Sequence, residues 1–466
     1  VGFIGKNVAE YFTLAFGAAK INAVTVAVNW RLAPPEMAYI LDNAEAKVVL
    51  VEEEFLAHLD DMELPADPLV VVIGAGGGRL EYPAWIDGKP VTDPAYPSDI
   101  DDTGVQLYTS GTTGLPKGAE LSNRNFFSIV GPVSEMMGLH ENSVLIHVLP
   151  LFHIGGSGVA IVGLYKGCTN VVHRDVDPGR IFADIPKYGV TSGFMVPALL
   201  QVLPMIPGAS DVDFSSLETI LYGASPITEE VLVSSMALLK CGHAQAYGLT
   251  ETTGVITMLA PEDHDPGGPR AKLLRSAGKP VPGVELRIVD EDGQDLPDGE
   301  VGEIWCRTVQ NLKGYWRNPQ ATAEAFPEGR DAEGFGWFTT GDAGYLEDGY
   351  LFIHDRVKDM IVSGGENVYP AEIENVLMGH PDVADVAVIG IPSERWGESP
   401  LALIVPAEGA DPSAEELIEY CRGRLAKFKL PTAVERIETI PRNPSGKILK
   451  IELRKPYWEG RDRQIN

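Results

Sequence analysis

YTSGTTGLPKG, Tyr108 to Gly118, decides how this 466-residue chain is read. It follows the short strand-like run Val105–Leu107 and combines three glycines with several hydroxyls and one lysine. Glycines let backbone N–H groups approach phosphate oxygens closely, and Ser110, Thr112 and Thr113 add hydroxyl donors. Lys117 adds a point charge suited to phosphate. The stretch reads as a phosphate-cradling loop. A Walker A loop requires Gly, four residues, then Gly-Lys-Ser/Thr. Counted from Gly111, Pro116 stands where the second glycine belongs and Gly118 where the metal-binding hydroxyl belongs. An ordinary P-loop is therefore disfavoured.

Composition narrows the class. The chain carries 66 acidic against 37 basic residues, a net charge of −29. That balance argues against a nucleic-acid partner or an anionic membrane surface, although local cations can still hold a nucleotide. Hydrophobic residues make up 44%, enough for a large core, and the length suggests about three domain-sized units. Cys168, Cys241, Cys306 and Cys421 are scattered without metal spacing, which fits a reducing cytoplasm. Val1–Phe12 reads as a strand leading into a helix already inside a domain, so an opening segment is expected before it. Val144–Tyr165 contains no charged residue and could span a bilayer by length. Its Pro150, two histidines and several glycines instead suggest a buried strand, a turn and a glycine-rich helix start.

Apolar strands alternate with helical patterns in the first part: helices over 7–23 and 35–43, strands over 47–51 and 69–73. This alternation implies an α/β architecture. From Val284 the texture changes, with strands over 285–289 and 301–307. Asp348-Gly349 between 345–347 and 350–353 is a strong hairpin signal. After Asp355 a compact unit restarts: a helix over 370–377, a strand over 386–390 and a helix over 413–428. That last pattern aligns Leu417, Ile418, Cys421, Leu425 and Phe428 on one face. Short matches elsewhere fail in register. Arg79 breaks a dinucleotide fingerprint begun at Gly74, Arg180 replaces the asparagine of a kinase loop begun at His173, and Val159 ends a nucleophile elbow begun at Gly155.

Further motifs follow in a consistent order: YGASP (222–226), YGLTET (247–252), TTGD (339–342), DRVKDMIVSGGENVYP (355–370) and PRNPSGKILK (441–450). Together with the opening loop they resemble the adenylate-forming superfamily of acyl-CoA synthetases, luciferases and peptide-synthetase adenylation domains. SGGENVYPAEIE and WGE (396–398) look most like its fatty-acyl and aryl-CoA ligases. The resemblance covers essentially the whole chain from Val1. It implies a multi-domain α+β form of the α/β class, with a large N-terminal domain of β-sheets packed by helices over 1–355. A hinge at 356–358 and a small mobile C-terminal α+β domain over 359–466 would complete it.

The resemblance also implies site residues. Nucleotide contacts would fall to Thr109, Ser110, Gly111, Thr112, Thr113, Gly114 and Lys117, with adenine lined by the YGASP segment through Gly223, Ala224 and Ser225, and Tyr247 and Gly248 of YGLTET as further nucleotide contacts. Asp342 and Arg356 would hold ribose. A carboxylate is a hard oxygen ligand of the kind Mg²⁺ prefers, so Glu251 is the metal candidate. Thr250 would meet the α-phosphate, and Lys447 would stabilise charge developing on phosphorus. Lys358 would be the hinge, with Gly364 and Gly365 lining a tunnel for CoA. His153, Met195, Pro197 and Tyr222 would border the acyl group. The implied activity is ATP-dependent: a carboxylic acid becomes acyl-AMP plus pyrophosphate, then the acyl group passes to CoA as co-substrate. A medium- or long-chain fatty acid is the expected substrate. An aryl acid, a carrier-protein acceptor and an inactive nucleotide-binding fragment are the rival readings. Retention of Lys117, Glu251, Asp342, Arg356 and Lys447 argues against the last. No transmembrane segment is expected, and a homodimer or peripheral membrane contact is left open.

Overall fold

The computed structural model describes residues 1–109, 115–356, 359–363, 366–393, 395–422, 424–442 and 447–459. Among them the strands gather into four sheets. The first begins at one edge with Gly314–Tyr315 and Lys117–Ser122, continues through Thr103–Thr109, Thr25–Val28 and Gly2–Ile4, and ends beyond Val48–Glu52. Its inner strands are parallel, while Thr103–Thr109 and Lys117–Ser122 form an antiparallel pair. Strands buried on both faces need not alternate, and Val48–Glu52 accordingly reads VVLVE. Helices Ala9–Lys20 and Pro34–Asn43 occupy the intervals where helical patterns were expected.

The second sheet runs from Lys279–Pro280 through Thr257–Leu259, Gly242–Tyr247, Thr219–Gly223, Ser192–Met195 and Val144–His147 to Thr169–Val172. One continuous core joins it to the first sheet. Helix Asn123–Met136 contributes Phe126, Ile129, Val130 and Val133 to that core. This helix starts with a reciprocal cap: Ser122 Oγ accepts from Asn125 N at 3.2 Å and Asn125 Oδ1 accepts from Ser122 N at 2.7 Å. The charge-free window splits into strand Val144–His147 and helix Ile154–Tyr165. No helix among the described residues is long and apolar enough to cross a membrane.

The third sheet is antiparallel: Val284–Val289, Gly302–Thr308, Phe338–Glu347 and Tyr350–Arg356. Its hairpin turn has Asp348 at φ 53° and Gly349 at φ 78°, the left-handed pair that a twisted two-residue turn requires. The fourth sheet orders Glu366–Val368, Ile361–Ser363, Gly397–Pro406 and Val383–Ser393, with Ala433–Arg436 pairing onto Gly397–Pro406. It has its own apolar clusters, one including Ile373, Leu417 and Cys421 and the other including Ile389, Leu401 and Leu403. The helix expected over 413–428 is shorter, Ala414–Arg422. Phe428 lies instead in the 3₁₀ turn Lys427–Lys429 and is exposed. The apolar period alone marks which face could be buried, not where the helix ends.

Two buried histidines sit in the second sheet. His147 Nε2 pairs with Asn170 Oδ1 at 2.6 Å, and His243 Nε2 with Ser235 Oγ at 3.0 Å. Burial pulls each imidazole down to about 4, against the opposing hydrogen bonds to Asn170 Oδ1 and to the Cys241 carbonyl oxygen. Between about 4 and the ordinary 6.5 the unfolded chain binds these protons and the folded chain does not. Stability therefore rises with pH across that window and is lost on acidification, by about 1.4 kcal/mol per pH unit per histidine. Urea unfolding between about pH 7 and about pH 5 should show a falling midpoint, with a smaller fall in His147→Gln. A midpoint insensitive to pH would contradict neutral burial.

Candidate active site

Strands Thr103–Thr109 and Lys117–Ser122 pair with Thr109 opposite Lys117 and Tyr108 opposite Gly118, so they bracket the signature loop. Its residues Ser110, Gly111, Thr112, Thr113 and Gly114 lie outside the described residues, as do Lys358, Gly364 and Gly365. Gly118 has a local reason: a Cβ there would come within 2.3 Å of Gln106 Nε2. Gln106 in turn donates to Tyr108 OH at 3.1 Å, and Tyr108 donates to Asn43 Oδ1 at 2.6 Å.

Beside this hairpin stands Glu251. Its Oε1 accepts from Thr109 Oγ1 at 3.1 Å and from Tyr315 OH at 3.1 Å. Lys117 Nζ lies 5.3 Å from the centre of the Tyr315 ring. Tyr315 reaches this position because Gly314–Tyr315 pairs with Lys117–Ser122, placing it opposite Ala119. Glu251 belongs to the 3₁₀ turn Thr250–Thr252, which also holds Thr250, just beyond strand Gly242–Tyr247. The turn closes through Gly254 N to Leu249 O at 2.9 Å and Ile256 N to Tyr247 O at 2.8 Å. Gly248 is required by this fold-back, because a Cβ on it would lie 1.5 Å from the Gly254 carbonyl oxygen.

Tyr247 donates its hydroxyl to Asp342 Oδ2 at 2.8 Å. Burial holds this phenol well above its ordinary value, and the Asp342 carboxylate adds to the effect. The TTGD turn is fixed from beneath: Thr340 Oγ1 donates to Ile304 O at 2.7 Å and accepts from Asp342 N at 3.1 Å. Glu303 accepts from Gly341 N at 3.2 Å and from Trp305 Nε1 at 2.9 Å. Burial raises the Glu303 carboxyl against these two hydrogen bonds. Backbone pairing sets Asp342 opposite Arg356. At the end of Thr219–Gly223, Gly223 is opposite Ala246, and a Cβ on it would stand 2.1 Å from the Ala246 carbonyl oxygen. Ala224 follows at φ 68°, a left-handed conformation, and leads into Ser225. Carboxyl ends of parallel strands are where open α/β sheets hold ligands.

The acyl-side candidates divide. His153 caps helix Ile154–Tyr165 next to Phe152, their ring centres 4.6 Å apart. Burial brings the imidazole down to about 4, helped by the Arg31 charge, so it is uncharged near neutrality. Its segment is anchored by Asn7, whose amide donates to Leu149 O at 2.9 Å and His173 O at 3.0 Å and accepts from Leu151 N at 2.9 Å. Gly155 allows close approach of Phe194, whose Cε1 would stand 2.9 Å from an added Cβ. Met195 and Pro197 are buried, the former closing strand Ser192–Met195 and the latter opening helix Pro197–Val202. Tyr222 is fully buried, its hydroxyl bonded to His264 Nε2 at 2.9 Å. Lys447 is carried by a different part of the chain, three residues before helix Lys450–Trp458.

Three sheets thus contribute to one cluster of carboxylates, hydroxyls and a lysine. Against known proteins, residues 1–316 match the model of the AMP-binding enzyme family and residues 372–447 that of the AMP-binding enzyme C-terminal domain. The chain is a member of this adenylate-forming family, in its acyl-CoA synthetase branch. It is an ATP-dependent, AMP-forming acid–thiol ligase. It is 42% identical to the fatty acid–[acyl-carrier-protein] ligase ScoC of Streptomyces coeruleorubidus, across 100% of this chain and 88% of that protein. It is 37% identical to the long-chain-fatty-acid–CoA ligase FadD13 of Mycobacterium tuberculosis, across 98% of this chain and 88% of that protein. ATP-bound MatB from Rhodopseudomonas palustris superposes with a TM-score of 0.88 at 29% identity, covering 98% of this chain and 88% of that one.

Sequence reasoning missed Tyr315 and Asn7 as site supports. Tyr315 stands 64 residues from Glu251, and Asn7 stands 142 from Leu149, so no local spacing could join either pair. Gly248→Ala should lower stability by roughly 1–3 kcal/mol and weaken ATP binding by distorting the Glu251 turn. Thermal unfolding and calorimetric titration with ATP test this. An unchanged ATP affinity would show that the turn does not depend on the glycine.

Proposed function

We propose that this enzyme activates a medium- or long-chain fatty acid with ATP and transfers the acyl group to the thiol of CoA. The observation that carries the adenylation half is Glu251, held on Oε1 by Thr109 and Tyr315 beside Lys117. Both hydroxyl bonds land on one oxygen, which leaves Oε2 for a hard cation. A single carboxylate is a fitting protein ligand for Mg²⁺, which keeps its waters and takes substrate phosphates as its other ligands. Bound Mg²⁺ would neutralise phosphate charge. Lys117 and the loop Ser110–Gly114 cradle the phosphates, Asp342 and Arg356 hold the ribose, and Gly223, Ala224, Ser225, Tyr247 and Gly248 line the adenine.

In the first step a carboxylate oxygen bonds to the α-phosphorus, the bond to the bridging oxygen breaks, and pyrophosphate leaves. The acid is already ionised near neutrality, so no enzymic nucleophile is needed. Thr250 donates to the α-phosphate, and the Lys447 ammonium stabilises the charge that develops there. In the second step the thiol loses its proton, sulfur bonds to the acyl carbon, and the acyl–phosphate bond breaks to release AMP. We assign residues 1–355 to a large domain, 356–358 to a hinge about Lys358, and 359–466 to a small domain. Rotation about the hinge would withdraw Lys447 and bring Gly364 and Gly365 to the site for CoA. Uncharged His153, with Phe152 alongside and Met195, Pro197 and Tyr222 as further border, suits an apolar acyl group. Its scattered free thiols fit a cytoplasmic location.

The 42% identity to a ligase whose acceptor is an acyl-carrier protein supports a second reading for the thiol alone. Pyrophosphate release should be measured across fatty and aromatic acids, with and without CoA. Turnover with fatty acids only when CoA is present is the expected result. A single turnover that CoA does not extend would exclude CoA and point to a carrier protein as acceptor, and preference for aromatic acids would overturn the acyl assignment. Lys447→Ala should lower adenylation by at least about a hundredfold while leaving thioester formation from supplied acyl-AMP within about twofold. Equal loss in both half-reactions would refute this division.

A further inference from the structure

Charge is segregated within the last quarter of the chain. Residues 359–420 hold 13 acidic residues and one basic residue, whereas 421–466 hold 12 basic and five acidic. The two segments meet as partners. Lys429 pairs with Glu372 and Arg436 with Asp411, while Arg442 Nη2 lies 2.7 Å from Asp385 Oδ1. Nearer the functional lysine the pairs become buried. Lys450 Nζ stands 2.9 Å from Glu374 Oε1, and Arg454 Nη2 stands 2.7 Å from Asp359 Oδ1. Lys450, Arg454 and Asp359 are each at most 9% exposed.

Two facts give the Arg454–Asp359 pair more than a stabilising role. Arg454 and Lys450 are four apart, hence on one face of helix Lys450–Trp458, and Lys447 lies three residues before the start of that helix. Asp359 immediately follows Lys358, the assigned hinge. Trp458 Nε1 fixes the far end of the helix by donating to Gly390 O at 2.9 Å. The residue next to the hinge and the helix next to the functional lysine are therefore joined directly by a buried ion pair. A planar guanidinium confers direction as well as charge on such a joint.

We propose that Arg454 and Asp359 form a strut that transmits hinge angle to Lys447, making them positioning residues for adenylation. The inference rests on the adenylation role assigned above to Lys447. The acceptor half-reaction does not use Lys447, so loosening the strut should impair one half-reaction selectively.

The test compares Arg454→Gln, Arg454→Lys, Asp359→Asn and Lys447→Ala in the full chain, measuring acyl-AMP formation and transfer from supplied acyl-AMP separately. Arg454→Gln and Asp359→Asn should lower the adenylation rate at least about tenfold, a barrier change of ~1.4 kcal/mol, with transfer within about twofold. Arg454→Lys should recover part of the loss by restoring the charge. The Asp359→Asn/Arg454→Gln double variant removes both charges together and leaves no buried charge without its counterion, so it supplies a comparison should either single variant unfold. It should show the same selective defect, with a melting temperature no lower than that of either single variant. Equal decline of both half-reactions, or undiminished adenylation in these variants while Lys447→Ala abolishes it, would overturn the strut. Undiminished adenylation in Lys447→Ala would instead overturn the role of the lysine itself.

Discussion

Glu251 is the point at which the two large sheets are joined through side-chain hydrogen bonds at the site. Thr109 ends a strand of the first sheet and Tyr315 lies on its edge strand, whereas Glu251 follows a strand of the second. Hydrogen bonds to a charged acceptor contribute about 1.5–3 kcal/mol each, but their larger effect here is geometric. A carboxylate shared by two donors from one sheet fixes the position of the other sheet to within a hydrogen-bond length. The common apolar core supplies the non-directional force that brings the sheets together, and Glu251 supplies the direction. Backbone crowding enforces the same arrangement, since Gly248 lies against Gly254 and Gly223 against Ala246 with no room for a side chain.

The third sheet is tied in by the same device. Tyr247 donates to Asp342, so the chain leaving the second sheet is fastened to the TTGD turn on either side of the place assigned to a nucleotide. Glu303 and Thr340 hold that turn by its backbone, leaving the Asp342 side chain positioned from two directions. The resulting cluster is rich in carboxylates within a chain of net charge −29. Such a site receives hydroxyls and cations readily, whereas phosphates need cationic and N–H or O–H donors, and Lys117 is the lysine beside Glu251 among the described residues. This explains why a glycine-rich loop and a single lysine carry so much of the proposed phosphate binding.

What could be read from the sequence was whatever is local along the chain. The Asp348-Gly349 turn announces its left-handed conformation in two residues, and the strand–loop–lysine order around Thr109 and Lys117 follows from a stretch of eleven. The alternation of strands and helices gave the α/β class because each element carries its own period. Asn7, Tyr315 and His264 could not be found this way: their partners lie far off in sequence, and each residue type is ordinary where it stands. Helix Ala414–Arg422 failed differently. Its apolar period runs on to Phe428, but period measures only which face could be buried, and nothing buries Phe428.

The proposed rotation of the C-terminal part makes a thermodynamic demand, and the packing meets it. A body that turns between two working positions must keep its apolar surface covered in both. The fourth sheet does so with clusters built on Ile373, Leu417 and Cys421 and on Ile389, Leu401 and Leu403. Contacts to the preceding part of the chain include polar ones: Gln201 Nε2 donates to Ala384 O at 3.3 Å, and His354 Nδ1 lies 3.0 Å from Glu372 Oε1. The Glu372 carboxyl stays below its ordinary value because bonds from His354 and Lys429 outweigh its burial. Polar contacts of this kind can be exchanged for water at little net cost, whereas a shared apolar core cannot. Low cost of separation and internal rigidity are distinct requirements. The first follows from where the apolar clusters lie, and the second from the opposite charges that bind the two halves of the C-terminal part to each other.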